Sequence, residues 1–276
     1  MSSIRKAVIP AAGFGTRMLP AAKAIPKEML PVVDRPVIQY VVEEAAAAGV
    51  DDVLLITSAH KRAIEDHFDE APELRAVLRR QGREHLLASV DELAAKVKVH
   101  SVRQGQQRGL GDAVLQARHH VGNEPFLCLL GDTIFSGEVA PAVALTEAFR
   151  QLGTALIGVV EVPPERVSRY GIVAGEPVSQ GILRVTSLVE KPAPERAPSR
   201  LAVAARYVLT PDIFQCLAQT APGVGGEIQL TDALRMLLER RPIHAVMLSA
   251  KRLDVGNPAD WLEANLRIAR ARKMLP

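Results

Sequence analysis

A chain of 276 residues with 48% apolar and 24% charged side chains has the make-up of an ordinary globular protein with a substantial core, which excludes a disordered or low-complexity polymer. Its formal charge of +3, from 34 basic and 31 acidic side chains, includes no like-charge run of the length of a nucleic-acid arm, and 4% aromatics argue against a stacking platform for single strands. Two cysteines make neither a disulfide framework nor a zinc site, no apolar run approaches the roughly 20 residues of a membrane span, and the N-terminus runs into a strand without a signal peptide. The expectation is a cytoplasmic protein with no membrane and no nucleic-acid partner.

The first apolar run, residues 7–10, reads as a strand. Further strand-like runs at 53–57, 97–102, 126–130 and 155–162 alternate with helical patterns at 37–48, 61–68, 113–120 and 140–152. This rhythm predicts an α/β fold, doubly wound and Rossmann-like, with a mostly parallel mixed sheet covered on both faces and right-handed crossovers. Residues 72–95 break the rhythm. They are charged and helical, and read as an inserted helical pair, placed over the mouth of a site or at a subunit contact. After Glu161, Pro and Gly separate strand-like runs at 171–174, 184–189 and 202–209. A proline-rich loop at 192–198, helices at 211–217 and 230–239, and a strand at 243–248 complete this part. An amphipathic helix at 258–273, opened by Pro258, closes the chain. With no internal repeat, one domain over 1–276 is expected.

The most informative stretch follows the first strand. Gly13 and Gly15 let the backbone approach a ligand and aim N–H groups at it, and Arg17, Lys23 and Lys27 come within the next dozen residues. A glycine turn at a strand end, followed by fixed cations, suits a triphosphate, whose charges must be gathered before one phosphorus is attacked. Position 18 is Met, so the dinucleotide fingerprint G-x-G-x-x-G is absent. No G-K-[ST] follows, so this is not a Walker A loop.

Four other segments carry chemistry. In 103–113, the Gln104 amide suits the donor–acceptor edge of a pyrimidine, and Gly109 and Gly111 permit close approach; a plain loop leading to a helix opened by Asp112 is the alternative. Asp132 sits at the carboxyl end of a buried strand, where α/β sheets bind ligands, and its hard carboxylate suits Mg²⁺; the alternative is a turn or cap. Glu190 offers acceptors to sugar hydroxyls and Lys191 a charge to a phosphate. Neighbours on a strand point to opposite faces, so the turn at Pro192 is expected to re-aim Lys191. Residues 225–233 open a helix that Thr231 or Asp232 would cap. Asp254 stands in a D-x-G turn before the last helix. His119 and His120 point about 100° apart on a helix and cannot chelate one metal.

Residues 13–31 resemble the N-terminal motif of the sugar-nucleotide pyrophosphorylases. The run Lys23-Ala24-Ile25-Pro26-Lys27-Glu28-Met29-Leu30-Pro31 is similar to the form in bacterial UTP–glucose-1-phosphate uridylyltransferases. The segments at 103–113, 129–133, 169–173 with 189–192, and 225–233 match the same pattern, so the resemblance covers roughly residues 6–270. It implies a nucleotidyltransferase fold and the reaction of UTP with glucose 1-phosphate to UDP-glucose and pyrophosphate. It implies catalytic roles for Arg17, Lys27, Asp132 and Lys191. Ala11, Ala12, Gly13, Gly15, Gln104 and Gly109 would hold the nucleotide. Gly171, Glu190 and Lys191 would hold the sugar phosphate, and Asp132 and Asp254 would hold Mg²⁺. Residues 5–135 would form the nucleotide half and 136–276 the sugar-phosphate half of a homo-oligomer, dimer or tetramer. The chain departs from the pattern at Asp112, Arg108 and Gly131, where relatives usually carry His, Lys and Pro. A thymidylyltransferase for the same sugar phosphate, and a non-catalytic regulatory homologue that binds the sugar nucleotide, are the alternatives.

Overall fold

The structure, a computed structural model, describes residues 3–275. β1 (Lys6–Pro10) leads through a small ribbon, β2 (Pro31–Val32) and β3 (Arg35–Pro36), into α1 (Val37–Ala47). Then come β4 (Asp52–Thr57), α2 (Arg62–Phe68), α3 (Pro72–Arg80), α4 (Ala88–Ala94) and β5 (Lys98–Arg103). They are followed by α5 (Leu110–Leu115), α6 (Arg118–Val121), β6 (Phe126–Leu129), β7 (Thr133–Ser136), α7 (Pro141–Leu152) and β8 (Ala155–Glu161). A hairpin of β9 (Gly171–Ser179) and β10 (Ile182–Glu190) precedes β11 (Leu201–Leu209), α8 (Ile213–Gln219) and α9 (Leu230–Leu238). β12 (Ile243–Met247), β13 (Lys251–Asp254) and α10 (Pro258–Ala271) finish the chain.

One sheet runs in the order β5-β4-β1-β6-β11-β8-β12-β10-β9. Its central strands are apolar on both faces because both faces are covered, whereas the edge strand β5 is polar and largely exposed. On β1, Ala7 and Ile9 pack with α1, α7 and α10, while Val8 packs on the other side with α5, α8 and α9. β6 alternates in the same way, Leu127 and Leu129 against Phe126 and Cys128. Phe126 stacks on Phe214 of α8 with centroids 5.4 Å apart. Each such buried side chain contributes roughly 1.5–3 kcal/mol.

The expectation of a mostly parallel sheet needs correction. β1, β4, β5 and β6 pair in parallel. Beyond Leu129 the sheet is mixed: β11 is antiparallel to both β6 and β8, β10 to both β9 and β12, and only β8 and β12 pair in parallel. The reason is connection length. Parallel neighbours need a crossover of a dozen or so residues, which the helices before Leu129 supply. Between β9 and β10 lie only Gln180 and Gly181, with Gly181 at φ 74, and that link can form nothing but a hairpin.

Other differences are local. The helix expected over 113–120 is two short ones, α5 and α6. β7 and β13, not anticipated, pair antiparallel with Asp254 opposite Thr133. The 72–95 insertion is helical as expected and packs on α1, where Gln39 Nε2 donates to Ser89 Oγ at 3.2 Å. It lines neither of the clefts described below. α10 is capped by Asn257, whose Oδ1 accepts from the Asp260 N–H at 3.0 Å. No helix among the described residues is long and apolar enough to cross a membrane.

Candidate active site

The chain leaves β1 at Pro10, and the Ala11 N–H donates to Ile56 O at 2.8 Å, which ties the following loop to the carboxyl end of β4. Gly15 takes φ 67, and a Cβ there would press on the Lys27 side chain at 3.3 Å. Ala11, Ala12, Gly13 and Gly15 line a cleft of about 540 Å³, as do Gln104 and Gly109. The six residues expected to hold a nucleotide thus share one cavity. Gly109 has φ 103, and a Cβ on it would stand 2.8 Å from Ile228 O and 2.7 Å from Glu227 Cβ. The close neighbour is a strap: Gly111 N–H donates to Ile228 O (2.8 Å), and Ile228 N–H donates to Arg108 O (2.7 Å). It brings Glu227 into the cleft wall.

Gln104 is held from both ends. Its N–H donates to Thr57 O at 2.9 Å, and its Nε2 donates to Asp112 Oδ2 at 2.7 Å and Gly109 O at 3.2 Å. Asp112, 1% exposed, also accepts from Arg108 Nη2 at 2.7 Å. The sequence reading made Asp112 a helix opener. The residue flanking α5 is Gly109, and the Asp112 side chain is spent on Gln104 and Arg108.

Lys27 and Asp132 also line this cleft and form an ion pair. Burial works against the Lys27 ammonium, but Asp132 and Glu28 outweigh it and hold it above the ordinary lysine range. Burial likewise opposes the Asp132 carboxylate, and Lys27 outweighs it, keeping this group below the usual carboxylate range. Glu28, next in the turn, points inward to Lys61, its carboxylate 2.6 Å from the ammonium in a buried pair.

A second cleft of about 500 Å³ shares Leu130 and Asp132 with the first and adds Arg17, Lys191 and Asp254. The Arg17 guanidinium lies against Gly256, where a Cβ would stand 2.9 Å from Nη2. Asp254 accepts from Arg252 Nε (2.8 Å) and Thr133 Oγ1 (3.4 Å) at Oδ1, and from the Tyr170 hydroxyl (3.1 Å) at Oδ2. Thr133 also reaches Asp132 Oδ1 at 3.5 Å, so it bridges the two carboxylates. Among the described residues no group of three or more His, Cys, Asp or Glu side chains could hold a metal. Two neighbouring carboxylates nevertheless fit Mg²⁺, which takes one or two of them together with substrate phosphates and water.

Lys191 is re-aimed by its own backbone, at φ 44, and not by the turn at Pro192 as expected. Its N–H donates to Tyr170 O at 3.0 Å, and its Nζ lies 3.4 Å from Glu190 Oε1. Glu190 pairs in register with Gly171, where a Cβ would meet Glu190 Oε2 at 3.2 Å. Gly171 and Glu190 line neither cleft and adjoin the second one through Lys191. Glu190 Oε2 accepts from Thr231 Oγ1 at 2.7 Å. Thr231 and Asp232 therefore do not cap α9, whose flanking residue is Gln229.

Sequence reasoning missed two arginines. Arg252 stacks over Tyr170, its Cζ 4.4 Å from the ring centroid, and adds a cation beside Asp254. Burial and then Asp254 push the Tyr170 hydroxyl above its ordinary value. Arg206 is wholly buried. Its Nη1 donates to Leu130 O at 3.3 Å, and its Nη2 to Thr133 O at 2.7 Å, the carbonyls on either side of Asp132. Glu44 neutralises it, accepting from Nε at 2.9 Å and from Nη2 at 2.7 Å. Ala205, at φ 59, lies where the β11–β8 register slips between Val203 and Tyr207, and the slip accompanies Arg206's turn inward. The available signal was an arginine inside the apolar run 201–209, because a buried charge requires a partner.

Residues 6–271 match the nucleotidyl transferase family model. The chain is 48% identical over 269 residues to the UTP–glucose-1-phosphate uridylyltransferase YngB of Bacillus subtilis, covering 98% of this chain and 91% of that protein. A UDP-glucose pyrophosphorylase solved in complex with UDP-glucose superposes with a TM-score of 0.90 at 40% identity, over 97% of this chain and 99% of the other. A UTP-bound pyrophosphorylase of this kind from Acinetobacter baumannii gives 0.89 at 40% identity, over 96% and 93%. The chain belongs to the nucleotidyl transferase family.

Proposed function

We propose that this enzyme transfers a uridylyl group from UTP to α-D-glucose 1-phosphate, giving UDP-glucose and pyrophosphate. The observation that carries the reading is the meeting of two clefts at Asp132, in a chain close to uridylyltransferases over nearly its whole length. The first cleft receives UTP: the backbone from Ala11 to Gly15 holds the phosphates, and Gln104 and Gly109 the base. The second receives the sugar phosphate, with Gly171 and Glu190 on the sugar and Lys191 on its phosphate.

A phosphate oxygen of glucose 1-phosphate attacks the α-phosphorus of UTP in line. The bond from that phosphorus to the bridging oxygen breaks, and pyrophosphate leaves with the electron pair. The nucleophile is ionised near neutral pH, so no strong base is needed, and the work is alignment and charge neutralisation. Lys27 neutralises the triphosphate in the first cleft, Arg17 adds its charge from the second cleft beside the junction, and Lys191 steers the incoming phosphate. Mg²⁺, held by Asp132 and Asp254, would supply the Lewis-acid charge shared between the phosphates. Both carboxylates are already paired, Asp132 with Lys27 and Asp254 with Arg252, so the ion would share them with these cations. We read residues 1–276 as one domain, 5–135 serving the nucleotide and 136–276 the sugar phosphate, in a cytoplasmic homo-oligomer.

The test is pyrophosphate release from UTP, dTTP, ATP and GTP with a panel of sugar 1-phosphates and Mg²⁺. UTP with glucose 1-phosphate is expected to lead, with dTTP second. A purine in first place, or no turnover with any nucleotide, would reject the reading, and dTTP ahead of UTP would favour a thymidylyltransferase.

A further inference from the structure

We infer that Asp112 is a positioning residue that sets the polarity of the base pocket, making it accept uracil or thymine and reject cytosine. This rests on the reading of the first cleft as the UTP site. A glutamine amide has nearly the same shape either way round. Left free, it can offer its oxygen to the N3–H of uracil or its NH₂ to the bare N3 of cytosine. Gln104 is not left free. Its Nε2 faces two groups that can only accept here, the Asp112 carboxylate at 2.7 Å and the Gly109 carbonyl at 3.2 Å. The amide must therefore turn its NH₂ toward them. Asp112 is buried, and its other oxygen is taken by Arg108, whose exposed side chain brings the neutralising charge in from the surface.

What remains for a ligand is Gln104 Oε1, which has no protein partner among the described residues while its side chain lines the cleft. The Gly109 N–H likewise donates to no acceptor among the described residues. Gln104 and Gly109 line the same cleft, and an acceptor from one with a donor from the other matches the N3–H and O4 of uracil. Cytosine would set its N3 lone pair against Oε1 and its amino hydrogens against the N–H. Neither group reports the C5 methyl, so thymine follows uracil. Asp112 lies in the first turn of α5, where an acidic group is favoured, but it makes no capping hydrogen bond, and both its oxygens go to the Gln104 and Arg108 side chains.

The test is kcat/KM for UTP, dTTP and CTP with glucose 1-phosphate in the wild type, Asp112→Asn and Asp112→Ala, with Tm as the fold control. The wild type is expected to prefer UTP over CTP by about 10²-fold or more, since unpaired polar groups discriminate strongly. In Asp112→Asn, nearly isosteric, Arg108 claims the single oxygen and the Asn NH₂ faces Gln104, so the Gly109 carbonyl alone still holds the Gln104 NH₂ and the amide turns its NH₂ to the base in a larger share of molecules. The CTP/UTP ratio is expected to rise about tenfold or more, by the exchange of a matched for a mismatched hydrogen bond. Asp112→Ala only frees the amide and raises the ratio less, and it carries the test if the Asn variant is unstable. UTP and dTTP should fall in step in both. Equal losses for UTP and CTP in both variants, or a wild type indifferent between the two, would overturn the role of Asp112. A wild type inactive with UTP would instead remove the reading on which it rests.

Discussion

The two clefts that meet at Asp132 are built by opposite means. The first is largely main chain: the loop from Ala11 to Gly15 and the turn at Gly109, at the ends of strands that run in parallel. The second is side chain: Arg17, Lys191, Arg252 and Asp254, drawn from segments far apart in sequence, the loop after β1, the end of the antiparallel hairpin β9–β10 and the separate β7–β13 ribbon. A wall of backbone fails when a Cβ is added. A wall of charged side chains fails when a charge is removed and tolerates changes of shape.

The largest expected effect strikes both clefts at once. Arg206 is buried and Glu44 only 9% exposed at its side chain, so Arg206→Ala leaves the Glu44 charge uncompensated and should cost about 3 kcal/mol of stability. Urea denaturation measures it, and a midpoint within error of wild type would refute the buried clamp.

Asp132→Asn is next. It keeps the shape where the clefts join and loses the charge, and kcat should fall about 10²- to 10³-fold, with some loss of Tm because the largely buried Lys27 ammonium keeps only Glu28 nearby. Near-normal rates at limiting Mg²⁺ would take Asp132 out of the chemistry.

Gly109→Ala probes the backbone wall alone. Its φ of 103 and the contact with Ile228 O imply strain of about 1–3 kcal/mol, expected as a rise in KM for UTP with KM for glucose 1-phosphate unchanged. Equal rises in both constants would erase the contrast between the clefts.

Lys191→Ala and Glu190→Gln probe the other wall. Losing the Lys191 charge should weaken all sugar phosphates alike, by about tenfold. Glu190→Gln should chiefly blur discrimination among sugars, since it alters acceptors for hydroxyl groups. Identical selectivity profiles for the two would contradict this division.

The smallest effect is a non-event. Burial pushes the Cys128 thiol up to about 12, so iodoacetamide at pH 8 should leave it unmodified, as intact mass would show. Rapid alkylation would mean that the sheet beneath the first cleft opens.

What the sequence by itself determined follows from this contrast. Sites made of backbone come from contiguous runs, so the loop at 11–15 and the turn at 104–109 were legible from their glycines and their place after a strand. The parallel order up to Leu129 was legible too, because a helix lies between each pair of strands. Placement of Arg17, Lys27, Asp132, Lys191 and Asp254 around one junction was anticipated only through the family motif, since nothing local says that residues 17, 132 and 254 approach one another.

Tertiary structure alone decided the rest. Whether β11 runs with or against β6 depends on partners more than 70 residues away, and it lies antiparallel with Tyr207 opposite Cys128. Arg206 and Arg252 sit in strand sequences as apparent misfits. They make sense only beside Glu44 and Asp254, because the energy of a buried charge depends on its partner and not on its neighbours in sequence. Asp112 read as a helix opener for the same reason: Gln104, eight positions earlier, becomes its partner only when the loop between them closes back on itself.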